Sequence, residues 1–202
     1  MIKGCKQWHL GNAFRNQYKH QFESIFFALP KHSYVLLAIG EIDCRLDSGI
    51  IAHKKRFPEK QIEKIITTTV KNYLNYIIKN NSVCQHNIII QGVPCPNIDT
   101  KASDLAKLRE EFKDKPSELK RYEEKLKQYS ENEVMQLIDV IKKFNCELKS
   151  KSKIKGFNYL DVHQLTDRGD GFSNAIWHVD NYHLSPEGMQ ESWRRYVAEQ
   201  SC

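Results

Sequence analysis

Tyr34-Val35-Leu36-Leu37-Ala38-Ile39 is an unbroken apolar run that stops at Gly40 and is followed at once by Glu41, Asp43 and Arg45. A strand in a half-exposed sheet alternates apolar and polar residues, because successive side chains point to opposite faces. A short run that is apolar at every position instead fits a strand covered on both faces, as in a parallel sheet packed between helices. Asn87-Ile88-Ile89-Ile90-Gln91-Gly92-Val93 reads as a second buried strand, and Phe157-Asn158-Tyr159-Leu160-Asp161-Val162 as a third strand. The second strand is closed by Pro94 and Pro96, which cannot donate to a sheet ladder.

Helical spacing fills the intervals. Phe14, Tyr18, Phe22, Ile25, Phe26 and Leu29 form a stripe over residues 14–29, ended by Pro30. Residues 58–79 form a longer one, through Ile62, Ile66, Val70, Tyr73, Leu74 and Ile77, with Pro58 at its start. Residues 101–148 are heavily charged and carry helical stripes split by Pro116; the most polar part, 110–133, reads as an exposed excursion. A last helix is expected over residues 186–199, with Pro186 in its first turn and Ser185 capping it. Strands alternating with helices give an α/β sandwich with a parallel sheet, in a single domain over residues 1–202.

Bulk properties narrow the partners. The 202 residues are 40% hydrophobic and 28% charged, with a formal net charge of +6 and lysines spread along the chain. No basic stripe interleaved with aromatics occurs, so nucleic acid is not expected. No apolar run is long enough for a membrane span. The six cysteines contain no CxxC pair, and a chain of this size folds without disulfides, so reduced thiols and a cytoplasmic location are expected.

In open parallel sheets, ligands sit at the carboxyl ends of the strands. That rule directs attention to residues 40–45, 92–97 and 161–183. The last of these contains Asp180-Asn181-Tyr182-His183-Leu184-Ser185-Pro186-Glu187-Gly188. A His three residues after an Asp can take a proton from a nucleophile while the carboxylate holds its tautomer. At the strand end, Glu41, Asp43 and Arg45 can clamp an anionic substrate group or close an internal ion pair. Trp8 and Trp177 fit either a cleft wall or core packing. His163, Asp167, Asp170 and His178 fall at no metal-ligand spacing, and no metal is expected.

The Asp-x-x-His-Leu-Ser-Pro-Glu-Gly block before a last helix resembles the SGNH/GDSL hydrolases. In that family such a His is the general base and the Asp orients it, which implies His183 and Asp180 here. The family's Gly-x-Asn-Asp block resembles Gly40-Glu41-Ile42-Asp43, with Ile42 standing where the family has Asn. Gly4 matches the glycine whose N–H helps to bind the oxyanion. The resemblance implies a three-layer α/β/α sandwich of flavodoxin-like type and a site with Gly4, Gly40, Glu41, Asp43 and Arg45 on the oxyanion and substrate side. It implies cleavage of a small acyl ester or an acylated glycan, with no cofactor. No Gly-Asp-Ser occurs in the chain, so the nucleophile and the first strand are expected to be missing. Two other readings stay open. One is a binding module that uses Asp43, Arg45 and His183 to hold a small acidic or glycan ligand. The other is an interaction protein that docks a partner on residues 110–133.

Overall fold

The computed structural model describes residues 2–98, 113–114, 116–117, 120 and 130–200. The elements run α1 (Gln7–Gly11), α2 (Gln17–Ala28), β1 (Tyr34–Leu37), α3 (Glu41–Cys44), α4 (Ile50–Arg56), α5 (Ile62–Cys84), β2 (Asn87–Gln91), α6 (Glu131–Ile154), β3 (Asn158–Leu160), α7 (Val162–Thr166), a 3-10 turn (Ala175–Trp177) and α8 (Pro186–Gln200). The sheet is parallel, in the order β1-β2-β3, with Leu36 opposite Ile89 and Gln91 opposite Leu160. The protein is a mixed α/β fold around a small three-stranded parallel sheet.

Both faces of the sheet are packed. Ile88 and Ile90 point into the larger core with Leu37, Val70, Leu74 and Phe144. Ile89 points the other way and meets Leu160, Val162 and Tyr196, with Leu36, Leu184 and Met189 packed beside them. That is why the apolar runs do not alternate. α5 packs on both α1 and α6. At the α1 crossing the helices come so close that a Cβ on Gly11 would lie 2.8 Å from the Tyr73 nitrogen. A side chain at residue 11 would push the two helices apart.

Several boundaries differ from the sequence expectation. The long helix begins at Ile62 rather than Pro58, because residues 57–60 close a turn through the Lys60 N–H and the Phe57 carbonyl, and Gln61 takes the N-cap position. The segment after β1 winds into the short α3. α1, α4 and α7 are too short to show a clear apolar stripe. The C-terminal helix starts at Pro186 as expected, and the Ser185 hydroxyl accepts from the Gly188 N–H at 3.0 Å. Of the charged excursion over 101–148, α6 begins at Glu131 with a capping box from Ser130 and Glu133. The stripes expected at Leu105, Leu108, Phe112, Tyr122, Leu126 and Tyr129 lie outside the described residues.

The segment leaving β2 is buried although it is not a strand, so its backbone donors need partners. The Gly92 N–H donates to the Leu160 carbonyl (3.0 Å), Val93 to Asn145 Oδ1 (2.8 Å), Cys95 to Thr166 Oγ1 (2.9 Å) and Asn97 to the Asn181 carbonyl (2.9 Å). Pro94 and Pro96 have no N–H to satisfy. The two prolines therefore lower the number of donors that the interior must meet.

Asn145 is the main support of this segment. It is buried on α6, accepts from the Val93 N–H and from the Tyr159 hydroxyl (3.2 Å), and donates to the Val93 carbonyl (2.8 Å). Replacing it with Ala leaves a buried N–H and a buried C=O without partners, each costing about 1–3 kcal/mol. We expect Asn145→Ala to lose roughly 2–4 kcal/mol in urea unfolding, whereas a change under about 0.5 kcal/mol would show that Asn145 does not hold the segment.

Candidate functional site

The three parallel strands end on the same side of the sheet, and the polar residues picked out from the sequence collect there. Gly4, Gly40, Glu41, Arg45 and His183 line one groove of about 850 Å³. Its apolar wall is residues 35–39, along β1, which is an outer strand; among the described residues no strand pairs with its other edge. Phe22, Ile25 and Phe26 of α2 also line the groove.

His183 is held from behind. Its Nδ1 lies 2.7 Å from Asp180 Oδ2, while Asp180 Oδ1 accepts from the Tyr182 and His183 N–H groups, both at 2.8 Å. An ionised carboxylate only accepts, so Nδ1 carries the hydrogen and Nε2 of the neutral ring is the basic nitrogen. Burial pushes the Asp180 carboxyl up, but the bonds from the His183 ring and the two N–H groups outweigh it and hold the acid down to about 2. Asp180 is therefore a carboxylate at any pH at which His183 could act as a base. The turn that carries the pair is pinned by the Asn97–Asn181 backbone bond and by Val179 N–H donating to the His183 carbonyl (3.0 Å).

On the groove side, His183 Nε2 faces a pair of opposite charges. Arg45 donates to Glu41 through Nε (2.6 Å) and Nη2 (2.8 Å), a bidentate bond across one turn. Arg45 Nη2 lies 3.5 Å from Nε2, and Glu41 Oε2 lies 3.8 Å from it. The guanidinium also stacks over Tyr182, with its carbon 4.9 Å from the ring centre. So Glu41 and Arg45 form an ion pair and line the groove at once.

Asp43 does not join them. It is 1% exposed and is not among the residues lining the groove, and its carboxylate accepts from the Gln7 N–H (2.6 Å) and the Trp8 N–H (3.2 Å). Asp43 thereby ties the turn after β1 to the first helix. Burial pushes its carboxyl up to about 6 against the pull of those two bonds.

Gly40 is required by its surroundings: its φ is +145°, and a Cβ there would lie 2.9 Å from Phe144 Cε1 and 3.1 Å from Gln7 Nε2. Gly4 also has a positive φ, +72°, but a Cβ there would make only an ordinary contact, 3.7 Å, with the Tyr18 hydroxyl. Gln7 went unnoticed in the sequence. It is fully buried, donates to the Ile39 carbonyl (2.7 Å) and braces the end of β1, while its Oε1 is buried without a partner among the described residues. Only a pattern of one polar residue inside an apolar helix face could have flagged it, and α1 is too short to display a face.

Among the described residues, nucleophiles within reach of His183 are scarce. Cys5 lines the groove, yet burial and then the negative charge of Asp43 push its thiol up to about 12, so it stays protonated and unreactive. Ser185 is spent on capping α8, and the Ser173 hydroxyl lies 2.9 Å from His178 Nδ1 rather than near His183. Trp8 is exposed, and Trp177 is half-buried against Gly188.

The unusual acid predicts a pH dependence. An unfolded carboxyl titrates near 3.9, so between about pH 4 and pH 6 the folded chain keeps a proton on Asp43 that the unfolded chain has released. Stability contributed by that proton is present at low pH and is lost as pH rises through this window, by up to ~3 kcal/mol. We expect the stability deficit of Asp43→Asn relative to wild type, from urea unfolding, to shrink between pH 4 and pH 6 and then level off. A deficit that is constant with pH would remove this account of Asp43.

No protein-family model matches the chain, and no curated protein matches it either.

Proposed function

We propose that this chain carries the acid–base part of an SGNH/GDSL-type ester hydrolase site, on the three-layer α/β/α sandwich of that family. The observation that carries the reading is the Asp180–His183 pair, 2.7 Å apart, with Nε2 presented to a groove at the carboxyl ends of the strands. In this reading His183 is the general base and Asp180 fixes its tautomer. Gly4 and Gly40 stand on the oxyanion side, and Glu41 and Arg45 on the substrate side. The substrate class is a small acyl ester or an acylated glycan, handled in the cytoplasm with no cofactor, nucleic acid or membrane.

The Gly-Asp-Ser motif that bears the serine of such a site does not occur in these 202 residues. Among the described residues no strand pairs with the outer edge of β1, which supports the reading, because a parallel strand laid against it and ending level with Gly40 would end at the groove that His183 also lines. Without that strand, the group His183 can activate is water. Nε2 takes a proton from a water molecule as its oxygen attacks the acyl carbon. Collapse of the tetrahedral intermediate then expels the alkoxide, which recovers the proton from the imidazolium.

A second reading is favoured by one specific contact. Arg45 Nη2 stands 3.5 Å from His183 Nε2, a cation beside the nitrogen that a base needs free. A binding module on the same fold would use Arg45 and His183 to hold an acidic or glycan ligand without turning it over.

Hydrolysis of p-nitrophenyl acetate by the purified chain separates the two. The hydrolase reading expects a rate above buffer that drops roughly 100-fold in His183→Ala, the size of a general-base contribution. Equal rates for wild type and His183→Ala would reject it for this chain and leave the binding module.

A further inference from the structure

We propose that Cys95, His163 and Asp167 form a binding site for a zinc-type divalent cation that clamps the segment after β2 to α7. One donor atom from each residue, a thiol sulfur, an imidazole nitrogen and a carboxylate oxygen, lies within 4.8 Å of the other two. A four-coordinate ion with bonds of about 2.0–2.3 Å holds its ligand atoms roughly 3.3–3.8 Å apart. Closing the set takes about 1 Å of side-chain rotation, and His163 and Asp167 are only half-buried and able to supply it.

The three residues are placed by the fold rather than by neighbouring sequence. Cys95 is fully buried between Pro94 and Pro96, and its N–H is fixed on Thr166 Oγ1. Its sulfur lies 3.8 Å from the His163 carbonyl. His163 sits in the first turn of α7, and Asp167 follows that helix, four residues on. Asp167 Oδ1 accepts from the N–H groups of Gly169 (2.8 Å) and Gly171 (3.0 Å), which orients the carboxylate without using Oδ2.

The chemistry of the set selects the ion. A thiolate with an imidazole suits zinc, whereas magnesium and calcium take oxygen ligands. The thiol proton leaves to solvent as the sulfur–metal bond forms, and a water completes the tetrahedron. A thiol that is 0% exposed is out of reach of a substrate, so the same three residues do not form a cysteine nucleophile. The expected consequence is mechanical. The segment tied by the ion also holds the His183 turn through the Asn97–Asn181 bond, so the cation stiffens the support of the Asp180–His183 pair.

Cobalt(II) and zinc titrations of the chelator-treated full chain test the site without reference to ester hydrolysis. Cobalt(II) should give a near-ultraviolet thiolate-to-metal band together with tetrahedral visible bands, and zinc should raise the melting temperature. The band should vanish in Cys95→Ser, weaken in Asp167→Asn and persist in Cys146→Ser, which removes the thiol that is exposed among the described residues. Because Cys95→Ser is a core change, X-ray absorption of zinc on the wild-type chain gives an independent reading: one sulfur at about 2.3 Å with nitrogen and oxygen at about 2.0 Å. A shell of nitrogen and oxygen alone overturns the proposal. So does a cobalt band that survives Cys95→Ser or disappears in Cys146→Ser.

Discussion

The two-sided burial of β2 is the constraint on which the rest of the structure depends. Ile88 and Ile90 need a core on one face of the sheet and Ile89 needs one on the other. A strand in that position cannot sit at a solvent-exposed face, so helices must cover both sides and the connections must cross over between parallel strands. Once the strands are parallel, their carboxyl ends share one rim. The polar residues that follow each strand then have only that rim, or the interior just beneath it, to occupy.

Beneath the rim, the problem is backbone polarity. The chain leaves β2 through a buried segment in which Gly92, Val93, Cys95 and Asn97 each find an acceptor, and Pro94 and Pro96 need none. Asn145 and Thr166 are the two side chains that make this possible. Both come from helices far away in sequence, so the rim is braced from α6 and α7 at the point where the His183 turn rests on it.

Two carboxylates near the rim have opposite fates for a physical reason. Asp180 is close to solvent and collects three donors, so its charge is favoured and it holds the imidazole in one tautomer. Asp43 has two backbone donors but almost no contact with water, and the loss of hydration outweighs them. The first suits electrostatic work beside a base. The second is structural, and joins α1 to the turn that carries Glu41 and Arg45.

Much was legible in the residues alone. The apolar runs determined the three strands, although only β2 is covered on both faces while β1 lies half-exposed along the groove; the long stripes determined α2, α5 and α6, and Ser185-Pro186 determined the start of α8. The Asp180–His183 contact was also local enough to read, since both groups lie in one tight turn. What the sequence could not determine is which way a side chain faces when its partner is distant. Asp43 sits two residues from Glu41, yet one is buried against Gln7 and Trp8 and the other lines the groove. Likewise, Cys95 gave no sign of standing beside His163 and Asp167. These outcomes were decided only by the tertiary structure, because the burial and the partners that settle them are supplied by α1, α6 and α7, segments tens of residues away.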